Sequence, residues 1–198
     1  MKKLFILFFM TALIATSGCI SGGEKMNLKG KKVLMVIAPD NFRDEEYFHT
    51  REVLESYGAS VTTASSKTGE ITGMLGGTAV ADIVLSQANP SEYDAVVFVG
   101  GSGASAYFND ETALGLAQRA YEDGKVVAAI CIAPNILAQA GLLEGKKATA
   151  YESVKSDLTE KGAVWSNESV VRDGRIITAN GPAAARRFGE EIAKLLSE

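Results

Sequence analysis

Three stretches of this 198-residue chain are each built round five or six consecutive apolar residues: "KKVLMVIAP" (31–39), "YDAVVFVGG" (93–101) and "KVVAAI" (125–130). A strand with one face in water alternates apolar with polar side chains, whereas a strand without alternation has both faces covered. Several such strands in one chain require helices packed on either side of a sheet. The intervening segments supply them. "DEEYFHTREVLESYGA" predicts a helix whose buried face is Phe48, Val53, Leu54 and Tyr57, stopped at Gly58. "DETALGLAQRAYEDG" predicts a second helix, acidic at its start where the helix dipole is positive. "APNILAQAGLL" and the short "SVKSDLTEKG" follow, and "PAAARRFGEEIAKLLSE" closes the chain with Pro182 in its first turn. "SVTTAS" and "KATAY" read as further strands, and "KTGEITGMLGGTAVADIVL" as a small antiparallel excursion. "SVVRDGRIITA" reads as a hairpin turning at Asp173-Gly174. The pattern is that of an α/β sandwich with a mostly parallel sheet. In such sheets, sites form beyond the carboxyl ends of the strands. That rule brings three loops together: the one after Pro39, the one at Gly100-Gly101, and the one at Cys131.

Composition removes several functions. The formal charge is −4, and no basic stripe runs through the body of the chain, so a nucleic-acid partner is not expected. His49 is the one histidine, which excludes a multi-histidine metal site. "GGSGAS" lacks the third glycine of a dinucleotide fingerprint. Neither a metal nor a cofactor is expected.

Cys131 stands between a buried strand and a helix. That is the layout of a nucleophile elbow, where helix dipole and free N–H groups favour a thiolate. A buried cysteine serving as a small apolar residue fits the same context. Gly100 and Gly101 end the preceding strand, either as a tight turn or as backbone that approaches a ligand and holds an oxyanion. Asp44, Glu45 and Glu46 open the first helix. Acids there commonly serve the dipole on a solvated face. One of them turned toward the cysteine loop and kept protonated would instead donate a hydrogen bond to a thiolate.

Taken together, "VVAAICIAPNILAQAGLLEGKKAT", "YDAVVFVGG", "GAVWSNESVVRDGRIITANGP" and the closing helix resemble the ThiJ/PfpI (DJ/PfpI) superfamily, a branch of the class I glutamine amidotransferase-like fold. The resemblance spans about residues 31–197. It implies a flavodoxin-like three-layer sandwich, dimeric or built from dimers, with a cysteine elbow. Carried over, Cys131 takes the place of the reactive cysteine and Glu46 that of the glutamate hydrogen-bonded to it. Gly101 and Ile132 take the places whose backbone N–H groups form an oxyanion pocket. The departures are specific. The peptidase-type members have a histidine directly after the cysteine, where this chain has Ile132. Their acidic third member falls at Ser105. Another branch places a histidine in the strand after the elbow helix, where this chain has Tyr151. His49, three residues after Glu46, is not an obvious substitute. Without a histidine, peptide hydrolysis loses its general acid, a deficit of ~10²–10⁴ in rate. Addition of a thiolate to an aldehyde needs less, since no amine must leave. The resemblance thus implies glyoxalase- or deglycase-like chemistry on small reactive carbonyls, with Cys131 as nucleophile and Glu46 as proton partner. The alternative is a non-catalytic oxidation-sensing or chaperone-like protein using the same pair, its partner an oxidant, since a sulfinate would also accept the Glu46 proton.

The first segment reads separately. "MKKLFILFFMTALIATSGC" has two lysines, an apolar run of ~11 residues and small residues before Cys19, too short an apolar run to span a bilayer. It resembles a prokaryotic lipoprotein signal, departing from it at Thr16 where leucine is usual. The expected organisation is a signal peptide over 1–18, a tether over 19–30 and the domain over 31–198. Cys19 would carry the lipid and hold an extracytoplasmic protein to the membrane by that lipid alone. Ordinary signal cleavage, or a cytoplasmic protein starting at Met26, are the alternatives.

Overall fold

The computed structural model describes residues 26–198; the predicted signal peptide, Cys19 and residues 20–25 of the tether lie outside the described residues. In chain order the elements are β1 (Lys32–Val36), α1 (Asp44–Ser56), β2 (Ser60–Ser65), β3 (Gly69–Thr72), β4 (Thr78–Ala81) and β5 (Ile83–Val84). Then come β6 (Ala95–Phe98), α2 (Glu111–Glu122), β7 (Val126–Ile130), α3 (Pro134–Gln139), β8 (Lys147–Ala148) and α4 (Lys155–Glu160). The chain closes with β9 (Val164–Trp165), β10 (Val170–Asp173), β11 (Ile176–Ala179) and α5 (Ala185–Ser197). Seven strands form one sheet in the order β10-β11-β7-β6-β1-β2-β5, parallel except for the β10–β11 hairpin at one edge. β3 and β4 form a separate antiparallel hairpin, and β8 pairs with β9.

The unbroken apolar runs divide residue by residue between two cores. Leu34, Val36, Val96, Phe98, Val127 and Ala129 pack beneath α2 and α3, against Leu116, Ile136 and Leu137. Their neighbours Val33, Met35, Ala95, Val97, Val126 and Ala128 pack beneath α1 and α5, against Leu54, Phe188 and Ile192. Successive side chains point to opposite faces of a strand, so a sheet covered on both sides needs an apolar residue at every position.

Four local expectations change. The buried face of α1 is Asp44, Glu46, Tyr47, Thr50, Val53 and Leu54, while Phe48 is 37% exposed. Tyr47 takes the core position because its hydroxyl is satisfied there: it lies 2.8 Å from Thr63 Oγ1 and accepts from Arg51 Nη1 at 2.6 Å. The third helix is shorter than predicted, ending at Gln139 before Gly141 turns left-handed (φ 76°). The strand predicted over "KATAY" is only two residues long, because Thr149 gives its N–H to the Thr178 hydroxyl at 3.0 Å. Finally, residues 26–30 are not free tether. Leu28 is fully buried in the α1/α5 core and its N–H donates to the Tyr57 carbonyl at 2.7 Å.

Candidate active site

The carboxyl ends of β1, β6 and β7 converge. β7 runs into Cys131, which adopts φ 64°, a left-handed conformation costly for any side chain with a β-carbon. The surroundings hold it there. Its N–H donates to the Ala179 carbonyl at 2.9 Å, and its carbonyl accepts from Tyr151 N–H at 2.7 Å. Pro134 follows at the start of α3, a helix of six residues whose dipole is correspondingly small. The N–H groups of Gly101 and Ile132 both interact with the Cys131 sulfur.

β6 runs into Gly100 and Gly101, and here close approach demands glycine. A β-carbon on Gly100 would lie 2.5 Å from the β-carbon of Cys131 and 2.5 Å from Oε2 of Glu46. Gly101 has φ 98°, and a β-carbon there would lie 2.4 Å from the Arg43 nitrogen. The loop after β1 is therefore laid directly on the double glycine, with Arg43 N–H donating to the Gly100 carbonyl at 3.0 Å. That contact sets where α1 begins and which of its first residues turns inward.

The three adjacent acids separate accordingly. Asp44 is buried and accepts from Leu75 N–H at 2.8 Å and Gly77 N–H at 2.7 Å, holding the β3–β4 turn onto α1. Glu45 pairs with Arg43 through two hydrogen bonds of 2.8 and 3.2 Å. Glu46 is fully buried against Cys131. Its Oε2 accepts from Gly100 N–H at 3.0 Å, while its Oε1 has no hydrogen-bond partner among the described residues. Burial pushes the Glu46 carboxyl up to about 7, opposed by its interaction with the Cys131 thiol and by the Gly100 N–H. Burial likewise pushes the thiol up to about 12, and the Glu46 charge adds to that, against the pull of the Gly101 and Ile132 N–H groups. Each anion disfavours the other, so the two groups titrate as one coupled site.

Above the sulfur lies a cavity of about 520 Å³ lined by Arg43, Met74, Gly101, Ser102, Ile132, Tyr151, Ser153 and Pro182 as well as Cys131. Thus Cys131, Glu46, Gly101 and Ile132 are brought together. His49 lies half-buried on α1 and does not line the cavity. Ser105 is exposed and donates to the Ser102 carbonyl at 2.9 Å. Tyr151, 52% exposed, is at the cavity rim. Arg43, Met74 and Ser153 escape a reading of the sequence. The one available signal was a lone arginine beside the acidic triplet in a loop that β1 aims at the site. Among the described residues, no group of three His, Cys, Asp or Glu side chains is arranged to hold a metal.

A cysteine on a left-handed strand–helix turn, beside a buried carboxyl in a doubly covered parallel sheet, defines a class of cysteine-elbow α/β sandwiches. Residues 31–195 match the DJ-1/PfpI family, and the chain belongs to it. It is 41% identical over 202 residues to an uncharacterized protein of Methanocaldococcus jannaschii, covering 100% of this chain and 98% of that one. It is 36% identical over 165 residues to a protein of Pyrococcus horikoshii named a deglycase, covering 83% of this chain and 99% of that one. The crystal structure of a ThiJ/PfpI domain protein from Brachyspira murdochii superposes with a TM-score of 0.82 at 35% identity, over 83% of this chain and 95% of that one.

Proposed function

We propose that the protein acts on small reactive carbonyls through Cys131, with Glu46 moving the proton. The observation that carries this reading is the half-paired, buried Glu46 carboxyl against the sulfur. The pair loses one proton near neutral pH, because the Glu46 carboxyl stands at about 7. The resulting monoanion has two forms: carboxylate with thiol, or carboxylic acid with thiolate. The second gives Oε1 the partner it lacks, as an O–H donor to sulfur, while the Gly101 and Ile132 N–H groups support the anion. The thiolate then adds to an aldehyde carbon, forming the C–S bond, and the carbonyl oxygen takes the Glu46 proton to give a hemithioacetal. With a 2-oxoaldehyde, the Glu46 carboxylate moves the C–H proton to the neighbouring carbon, and water releases the 2-hydroxy acid. No external oxidant or reductant enters. Relatives named deglycases support the same chemistry. Peptide hydrolysis is disfavoured because Ile132 and Tyr151 stand where histidines would protonate a leaving amine.

The test is the pH dependence of Cys131 alkylation. A midpoint near 7 in the wild type, below the ~8.5 of a free thiol, and a rise above that value in Glu46→Gln support the pair. A thiol that reacts only on unfolding would make Cys131 a core residue. A second reading, oxidation sensing, is favoured by the same Oε1, which would donate to a sulfinate oxygen. Peroxide titration with intact-mass detection tests it, and a chain that stops short of the sulfinate discards it.

The same reading takes the molecule as a homodimer, supported by Phe48, Leu75 and Val80, which are 37%, 61% and 58% exposed on α1 and its hairpin. Sedimentation of wild type and Val80→Lys tests that assembly. Lipidation of Cys19 stays part of the proposal. A mature mass shifted by a diacylglycerol, lost in Cys19→Ala, is the expected result.

A further inference from the structure

Among the described residues, Arg43 is the one cationic residue that lines the Cys131 cavity. Its guanidinium has five N–H donors in a rigid fork. Glu45 occupies the side edge only: Nε donates to Oε2 at 2.8 Å and Nη2 to Oε1 at 3.2 Å. No other hydrogen bond to this guanidinium exists among the described residues, so three hydrogens are unclaimed, and the end-on edge, one hydrogen of Nη1 and one of Nη2, is free. That edge matches a second carboxylate in bidentate geometry. Around it the cavity is lined by Met74, Ile132, Tyr151 and Pro182, none of which supplies another charge. Arg43 also feels the charges of Glu45, Glu46 and Cys131 in that order, each of which strengthens its hold on its own proton. The guanidinium therefore lies within electrostatic reach of the reacting sulfur.

We infer that Arg43 selects carbonyl compounds bearing a carboxylate next to the reacting carbon, held by the free edge of its guanidinium while Cys131 adds reversibly to the carbonyl. The inference rests on the proposed carbonyl chemistry and names the class of carbonyl ligand that the same site holds. Glyoxylate is the smallest member, and methylglyoxal is its uncharged counterpart of similar shape. With glyoxylate, the C–S bond forms at the aldehyde carbon, Glu46 gives its proton to the aldehyde oxygen, and the carboxylate remains on Arg43. With no ketone carbon to take the C–H proton, this adduct reverts to thiolate and aldehyde, and glyoxylate acts as a reversible ligand.

Iodoacetate and iodoacetamide provide the decisive probe, because they differ in charge and hardly in size. In both, the thiolate displaces iodide and forms one C–S bond. The ratio of their rates within one protein cancels any change in thiolate fraction. Relative to free cysteine, the wild-type ratio should favour iodoacetate. Arg43→Gln should lower it about tenfold, the scale of one partly exposed charge-assisted pair. Arg43→Lys should recover part, and Glu45→Gln, which frees the side edge, should raise the ratio. Glyoxylate should protect Cys131 from iodoacetamide at lower concentration than methylglyoxal in wild type, and lose that advantage in Arg43→Gln. Brisk iodoacetamide reaction with a free-cysteine ratio that Arg43→Gln leaves alone overturns the anion preference while sparing the carbonyl reading. Failure of both reagents in the folded protein overturns the two together.

Discussion

Asp44 and Glu46 sit two residues apart on the first turn of α1, both buried, and the chain uses them for opposite ends. Asp44 meets two backbone N–H groups of the β3–β4 turn and holds that turn in place. Glu46 meets one N–H, from Gly100, and keeps an oxygen without a partner beside a strained cysteine. Under the proposed chemistry, the number of donors facing a buried carboxyl, more than its burial, separates a structural acid from one able to move a proton. A fully paired carboxylate gains nothing by taking up a proton, whereas a half-paired one gains a donor where it had an empty acceptor.

The comparison breaks most visibly at the chemistry. Cys131→Ser should abolish carbonyl turnover, measured with methylglyoxal; surviving turnover removes Cys131 as nucleophile. Glu46→Gln should lower turnover by ~10²–10⁴, the range for loss of a positioned acid–base group, whereas Asp44→Asn should change it less than about threefold. Equal losses in the two variants would erase the distinction.

Stability should order the two sites differently. A folded-state Glu46 carboxyl at about 7 against an ordinary 4.5 means that the folded protein binds the extra proton between those values. This contribution is fully present below pH 4.5 and lost as pH rises through 7, amounting to about 3 kcal/mol. Denaturant titrations should therefore find wild type weakening relative to Glu46→Gln over that window. A difference independent of pH would mean that Glu46 titrates normally. Gly100→Ala places a β-carbon 2.5 Å from both partners and 2.8 Å from the Ile130 carbonyl. It should cost ~1–3 kcal/mol as an overpacked site and slow Cys131 alkylation by parting the pair. Asp44→Asn should cost ~1–3 kcal/mol, since its amide faces one N–H with another. Its loss should be accompanied by faster hydrogen exchange at Leu75 and Gly77, with the Cys131 alkylation midpoint unmoved.

The runs at 31–39, 93–101 and 125–130 determined by themselves that a parallel sheet is covered on both faces, because strand alternation is a local rule and its absence is equally local. The same holds for Cys131 at the end of β7 and for glycines at the end of β6, since a strand-to-helix turn and close backbone approach leave marks in residue type. Which acid faces the sulfur carries no such mark in the residues: Asp44, Glu45 and Glu46 are chemically alike and adjacent. Only the resemblance to known relatives singled out Glu46. The rotation of α1 decides it in the molecule, and that rotation is set by Arg43 N–H on the Gly100 carbonyl and by the Tyr47 hydroxyl reaching Thr63. The same rotation sent Phe48 outward and left Arg43 over the cavity. Leu28 joined the core for a similar reason, since two apolar residues, Met26 and Leu28, in a short polar stretch are too few to show a period, and Leu28 finds its place only where its N–H meets the Tyr57 carbonyl. Periodicity within an element is written along the chain; the angle at which one element meets another is decided by contacts between residues far apart in it.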